Sequence, residues 1–129
     1  MRNEVKIQKL AVVISLAIAS GTFAATTWTD AGTDNLWTNA ANWDAGVPIS
    51  NDYVLVDDGG AGPLINDGYY ALTEDVDVGL DNFGAITIDG GLLDAPPGIR
   101  IGDNIGATGI ITVEADGSVA GGWRSLQAW

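Results

Sequence analysis

The stretches VDVGLDNFGAITIDGG at residues 76–91 and IRIGDNIGATGIITVEADG at residues 99–117 decide the fold of this chain. The second repeats the first, because Val78-Gly79 recurs as Ile101-Gly102 at an offset of 23 residues. Each unit contains two short runs of β-branched residues between corners of Gly, Asp and Asn. A period in the low twenties with turns at every corner is typical of a parallel β-solenoid.

The second half of the repeat carries a small insertion. Ile86 recurs as Ile111 at an offset of 25, so two extra residues precede the second run. Stacked coils would align the Val and Ile residues into an interior column, while neighbouring backbones pair with each other. We therefore predict an all-β, short, right-handed parallel β-solenoid; an antiparallel β-sandwich of hairpins shares the same strand and turn signals and is the alternative.

Upstream of the repeats, residues 53–56 (YVLV) predict a first strand and residues 69–72 (YYAL) a second. Residues 60–68, which are rich in Gly and contain Pro63, predict a loop. Residues 25–52 are polar, aromatic and turn-rich, and we expect them to cap the solenoid.

The amino terminus has the layout of a secretory signal. Arg2, Lys6 and Lys9 precede an apolar run at residues 10–19, and small residues precede a cleavage site after Ala24. The run is too short to span a bilayer as a helix. We predict a signal peptide over residues 1–24 and no membrane span after its removal.

The remaining chain is strongly acidic. It holds 16 Asp and Glu residues and two basic ones, Arg100 and Arg124, for a net charge of −14. Such a surface repels nucleic acid, so no nucleic-acid partner is expected. The chain has no Cys and no His, which excludes disulfides, imidazole metal sites and catalysis by a His base.

Residues 53–129 are expected to form the coils, and the last of these looks incomplete. Residues 121–129 (GGWRSLQAW) resemble the opening of a further coil. We expect a truncated or fragmentary chain; the alternative is that Trp123 and Trp129 fold back as an aromatic lid.

The segment from Trp28 to Val56, directly after the signal, carries a family resemblance. Its pattern resembles the opening of Gram-negative secreted or surface proteins with autotransporter-associated β-strand repeats, some of which end in an exosortase-type sorting signal. The matching residues are Trp28, Gly32, Trp37, Ala41, Asn42, Trp43, Gly46 and Pro48. The resemblance implies a right-handed β-helix with a structural, adhesive or matrix-associated role.

Two sets of residues are candidate sites. Trp28, Trp37 and Trp43 would suit either a platform for sugar rings or, as we favour, a buried plug of the first coil. Asp81 and Asp103 would lie near each other at one corner if the coils are in register, and stacked carboxylates suit calcium. No other cofactor is expected.

The sequence thus predicts an exported structural or adhesive module, located outside the cell or on its outer surface, with no catalytic activity. Its expected partners are surface glycans or other surface proteins. The alternatives are a carbohydrate-binding module built on the three tryptophans and a polysaccharide-active β-helix enzyme. A glycosidase needs two carboxylates at a set separation, but a chain with 16 acidic residues offers such pairs in any case. A β-helix enzyme that acts on an anionic sugar would need several basic residues, and only Arg100 and Arg124 are present.

Overall fold

The computed structural model describes residues 24–123, which form an all-β solenoid of about four turns. The predicted signal peptide and residues 124–129 of the predicted coils lie outside the described residues, apart from Ala24. The elements are β1 (Ala25–Thr27), a 3₁₀ turn (Ala40–Asn42), β2 (Tyr53–Val56), β3 (Leu64–Asn66), β4 (Tyr70–Leu72), β5 (Asp75–Val78), β6 (Phe83–Asp89), β7 (Leu92–Ile101), β8 (Thr108–Glu114) and β9 (Ser118–Trp123).

All pairings between the named strands are parallel, which excludes the antiparallel sandwich. One sheet has the order β1-β2-β5-β7, with β4 and β9 also pairing with β7, and the other has the order β3-β6-β8. Each strand therefore pairs with the equivalent strand one coil later, as stacked coils require.

The register confirms the repeat read from the sequence. Val78 pairs with Ile101 at the predicted offset of 23, and Ile86 pairs with Ile111 at the predicted offset of 25. The two extra residues are accommodated in the loop between β7 and β8. That loop also carries Ile105, which is exposed.

The coils share a dry interior built by strand alternation. Inward residues of β6 and β7, such as Ile86, Ile88 and Leu93, are fully buried, whereas their sequence neighbours are only partly so. Burying each such side chain contributes roughly 1.5–3 kcal/mol. The period-2 pattern of the strands thus becomes one continuous core along the solenoid axis.

Strand β7 bends at a corner, so that its two ends pair with different strands of the neighbouring coils. Leu92–Asp94 pairs with β4 and with β9, while Gly98 to Ile101 pairs with β5. The register between β7 and β9 shifts between Ala95 and Ile99, where Pro96 and Pro97 interrupt the ladder. Proline has no N–H to donate, so it belongs at such an irregularity.

Strand β3 corrects one sequence prediction. Residues 64–66 pair in parallel with β6, although residues 60–68 were expected to form a loop. The sequence analysis did not recognise this strand because Pro63 and the glycines before it are typical of a loop. Gly62 has a φ of +68°, and a Cβ there would lie on the carbonyl oxygen of Ala85, so glycine permits the close approach of two coils.

Within residues 24–123, no helix has the length and apolar character needed to cross a lipid bilayer.

Candidate functional site

The three amino-terminal tryptophans are buried rather than displayed. Trp28, Trp37 and Trp43 are 1%, 0% and 4% exposed. Trp43 packs edge-on against both others, with ring centroids 5.1 Å from Trp28 and 4.8 Å from Trp37. The Trp43 Nε1–H donates to the carbonyl oxygen of Trp37 over 2.8 Å. We call these three residues the tryptophan cap.

The register places the tryptophan cap at the head of the interior columns. Leu36 bridges to Leu64, so Trp37 precedes Ile65, Ile88 and Val113 in one column. Trp28 continues the ladder of β1 and donates its backbone N–H to Leu55. The indoles of Trp28 and Trp37 therefore occupy positions that aliphatic residues hold in later coils, and Trp43 packs against both.

The side chain of Asn42 holds the loop before Trp43 in place through hydrogen bonds to its backbone. Asn42 is fully buried; its Nδ2 donates to the carbonyl oxygens of Asp34 and Leu36, and its Oδ1 accepts from the Gly32 N–H. A Cβ on Gly32 would lie 2.2 Å from that Oδ1, so glycine is required there. Hydrogen bonds from Asn39 and from the Leu36 N–H lower the pKa of Asp34.

These contacts bear on the sugar-platform alternative. A sugar ring stacks on an indole face only if that face is open to solvent. All three faces are enclosed by the cap and the first coils, so Trp28, Trp37 and Trp43 offer no platform in this structure. Gly32, Trp37, Asn42 and Trp43, which carry much of the family resemblance, act here as parts of a buried plug.

The two residues of the predicted calcium pair make different contacts at the acidic corner. Asp81 accepts a hydrogen bond from Asn104 Nδ2 at 2.5 Å, whereas Asp103 Oδ2 lies 3.8 Å from Arg100 Nε. Asn104 is thus the register neighbour of Asp81, and Asp103 precedes it in the same corner. Among the described residues, no group of three or more acidic side chains is placed to hold a metal ion.

Asp57, at the same corner, uses its carboxylate to accept hydrogen bonds from another coil. Its side chain accepts from the backbone N–H groups of Asp81 and Asn82, which belong to the next coil. The corners are therefore linked by a ladder of side-chain hydrogen bonds running Asp57, Asp81, Asn104. The carboxylates are engaged in bonds between coils.

The most polar site lies on the outer face of the first sheet, and the sequence analysis did not find it. Asp77 is 1% exposed; it accepts hydrogen bonds from the Tyr53 hydroxyl and from Arg100 Nε. Arg100 Nη1 also lies 3.8 Å from Asp75 Oδ2, and the guanidinium carbon of Arg100 is 5.6 Å from the centroid of the Tyr53 ring. We call Tyr53, Asp75, Asp77, Arg100 and Asp103 the Arg100 cluster.

The Arg100 cluster follows from register and alternation. Leu55, Asp77 and Arg100 align across β2, β5 and β7, and Tyr53 aligns with Asp75. The Asp75-Val76-Asp77 alternation and the 23-residue offset were both visible in the sequence. Together they would have placed Arg100 beside Asp77.

The Arg100 cluster is an ion-pair network of one cation, Arg100, and three carboxylates, those of Asp75, Asp77 and Asp103. Burial raises the pKa of Asp77, and the hydrogen bond and positive charge of Arg100 oppose that rise. The hydrogen bond to Asp77 raises the pKa of Arg100. A raised carboxyl pKa suits a general acid, but Asp77 is covered by Tyr53 and Arg100 and is closed to a substrate.

A smaller polar pair lies on β4 and β7. The Tyr70 hydroxyl donates to Asp94 over 2.6 Å, and this bond raises the pKa of Tyr70. Tyr70 is 51% exposed. This pair again joins two successive coils.

Comparison of the chain with protein-family models, with curated proteins and with solved structures finds no match.

Proposed function

We propose that the protein is an exported structural or adhesive β-helix module of a bacterial cell-surface or extracellular-matrix protein, without catalytic activity. The observation that carries this proposal is the tryptophan cap. The motif residues behind the resemblance to surface β-helix proteins are used to close the first coil. Their role supports a scaffold in which these residues serve packing.

The polar residues support the same proposal. The Arg100 cluster and the corner ladder join successive coils, so their side chains are engaged within the scaffold. The net charge of −14 that remains after removal of the predicted signal peptide favours a solvated outer surface and disfavours binding to nucleic acid or anionic lipid. A glycan or another surface protein remains the partner class that we propose.

Export is tested with the full chain in a Gram-negative host. We expect mass spectrometry of the recovered protein to show cleavage after Ala24, and added protease to reach the protein on intact cells. A matched Leu16→Arg variant, which charges the apolar run, is expected to stay uncut inside the cell. Recovery of the uncut wild-type chain from the cytoplasm would overturn the export proposal.

The absence of catalysis is tested separately on the purified protein. We expect no release of reducing ends from a panel of neutral and acidic polysaccharides. Turnover that disappears in Asp77→Asn, while Asp89→Asn retains it, would overturn the scaffold proposal. Asp89 is an exposed carboxylate at the end of β6, so it controls for the change in charge.

A further inference from the structure

Tyrosine and aspartate pair in the same way at two places on the outer surface of the solenoid. The Tyr53 hydroxyl donates to Asp77, and the Tyr70 hydroxyl donates to Asp94; in each case the aspartate lies 24 residues after the tyrosine. The first two residues belong to the Arg100 cluster, and we call them the Tyr53 pair. We call Tyr70 and Asp94, which lie on β4 and β7, the Tyr70 pair.

The strand register makes the two pairs equivalent position by position. In the first pair, Leu55 stands two residues after the tyrosine and aligns with Asp77. In the second pair, Leu72 stands two residues after the tyrosine and aligns with Asp94. Both tyrosines therefore reach diagonally from one coil to the aspartate of the next.

The two pairs differ one coil further on. Asp77 aligns with Arg100, whose guanidinium bonds to Asp77 and lies 5.6 Å from the centroid of the Tyr53 ring. Asp94 aligns instead with Ala120, whose methyl side chain offers no cation. Arg100 and Ala120 both lie within described strands, so the difference comes from residue type at equivalent positions.

The Tyr70 pair is correspondingly more open to solvent. Asp77 is 1% exposed beneath its arginine, whereas Asp94 is partly exposed and Tyr70 is 51% exposed. Val119 packs against the core, so Ala120 faces outward on the same side as the pair. A side chain from outside the chain can therefore reach both the ring and the carboxylate.

The surroundings of the Tyr70 pair favour a cation on an apolar stem. Leu72 and Leu92 align with the two members of the pair and are partly exposed, which suits the methylene groups of a long side chain. Sixteen Asp and Glu residues and one basic residue, Arg100, fall within residues 24–123, so the surface attracts cations. A guanidinium can stack on an aromatic ring and bond to a carboxylate at the same time.

We propose that the Tyr70 pair binds an arginine side chain of a partner protein. The guanidinium would lie over the Tyr70 ring and bond to Asp94, as Arg100 does at the Tyr53 pair, and its stem would pack along the neighbouring leucines. The small side chain of Ala120 would leave room for it. This inference rests on contacts along the side of the solenoid and stands whether or not the protein is exported.

The probe is a capped pentapeptide with one arginine among Gly and Ser residues, titrated into isotopically labelled protein. We expect saturable NMR shifts of the Tyr70 ring with an affinity of about millimolar, as befits one exposed contact. The same peptide with citrulline, which is neutral, is expected to bind at least about tenfold more weakly. A lysine peptide is expected to bind at least about threefold more weakly, because an ammonium lacks the planar fork.

Substitutions within the Tyr70 pair locate the contact. Asp94→Asn and Tyr70→Ala are each expected to lower the affinity for the arginine peptide at least about tenfold. Asp58→Asn removes an exposed carboxylate after β2, so it matches the first variant in charge and is expected to bind like the wild type. Circular dichroism should stay β-type in all three variants.

A substitution at Ala120 tests the same pair from within the chain. Ala120→Arg should place a guanidinium as Arg100 does, shift the Tyr70 ring resonances without peptide and lower peptide affinity at least about tenfold. Ala120→Gln adds a neutral side chain and is expected to keep peptide binding. This comparison tests the pair even if Tyr70→Ala fails to fold.

Four results would each overturn the proposal. Equal affinity for the arginine peptide and either control peptide would show that the guanidinium is not recognised. Shifts that leave the Tyr70 ring unchanged would place the peptide elsewhere. Binding that appears only in Arg124→Gln would identify the chain's own Arg124 as the occupant. Sedimentation showing a dimer that Asp94→Asn dissociates would identify a second copy as the occupant.

Discussion

Asp77 shows how one buried carboxylate connects three coils. It lies on β5 and accepts hydrogen bonds from Tyr53 on β2 and Arg100 on β7. A buried carboxylate without its cation is costly, because it loses hydration without a compensating charge. Arg100 therefore compensates the negative charge of Asp77 and also links β7 to β5 on the outer face.

Removing the cation is expected to be more harmful than removing the pair. Arg100→Gln leaves Asp77 buried beside Asp75 and Asp103, and should lower the free energy of unfolding by about 3 kcal/mol. The double variant Asp77→Asn/Arg100→Gln should lose less than Arg100→Gln alone, and therefore clearly less than the two single losses combined. Urea denaturation of all four proteins measures this coupling; additive losses would contradict the network.

The raised pKa of Asp77 gives the stability a definite pH dependence. Between the unfolded value of 3.8 and the higher folded pKa, the native state keeps a proton that the unfolded state releases. Asp77 therefore lowers stability as pH rises through that window. The stability of Asp77→Asn relative to wild type should rise with pH there and then level off. Urea titrations at successive pH values test this, and a relative stability that falls with pH would refute it.

At the scale of elements, the corners are joined by side chains as well as by strands. Asp57 follows β2 and accepts from backbone N–H groups that follow β5. It acts as a cap for the next coil, much as an Asp caps the first turn of a helix. Gly84 permits the stacking itself, since a Cβ there would lie 2.0 Å from the carbonyl oxygen of Val56.

Loss of the corner cap is expected to have a moderate cost. Asp57→Ala should lower the free energy of unfolding by about 1 kcal/mol, because two exposed N–H groups lose a charged acceptor. Asp57→Asn keeps one acceptor oxygen and should lose less. Asp89→Ala is the control for charge. Thermal or urea unfolding distinguishes them, and equal losses for Asp57→Ala and Asp89→Ala would argue against the cap.

At the scale of the whole molecule, a single column records the difference between the two ends. This column runs along the axis through Trp37, Ile65, Ile88 and Val113. The first three side chains are 0% exposed, whereas Val113 is 48% exposed. The amino-terminal end is closed by large aromatic residues. The other end of the described solenoid exposes the same core.

Truncations along this column should cost different amounts. Ile88→Ala is expected to lower the free energy of unfolding by about 3 kcal/mol, and Trp37→Ala by about 4 kcal/mol. Val113→Ala should cost less than about 1 kcal/mol, because its side chain is already half in solvent. Urea denaturation compares the three. A cost at Val113 equal to that at Ile88 would mean that the end is covered in solution.

Much of this architecture was readable from the sequence. The offsets of 23 and 25 residues predicted the pairings of β5 with β7 and of β6 with β8, because a solenoid converts sequence period directly into register. Strand β3 was missed because Pro63 and glycines surround it. At the corner, the same offset of 23 aligns Asp81 with Asn104, and the side chains of these two residues are hydrogen-bonded.

The sequence by itself determined the all-β class and the 23- and 25-residue offsets that set the register, since these follow from period and alternation along the chain. The parallel pairing of the strands was decided by the tertiary structure, which excluded the sandwich. Tertiary structure alone decided what the polar and aromatic residues do. Burial of the three indoles and the enclosure of Asp77 by Tyr53 and Arg100 both depend on which side chains meet across coils. A side chain's exposure is set by neighbours about 20 or more residues away, as the contacts of Asp77 with Tyr53 and Arg100 illustrate.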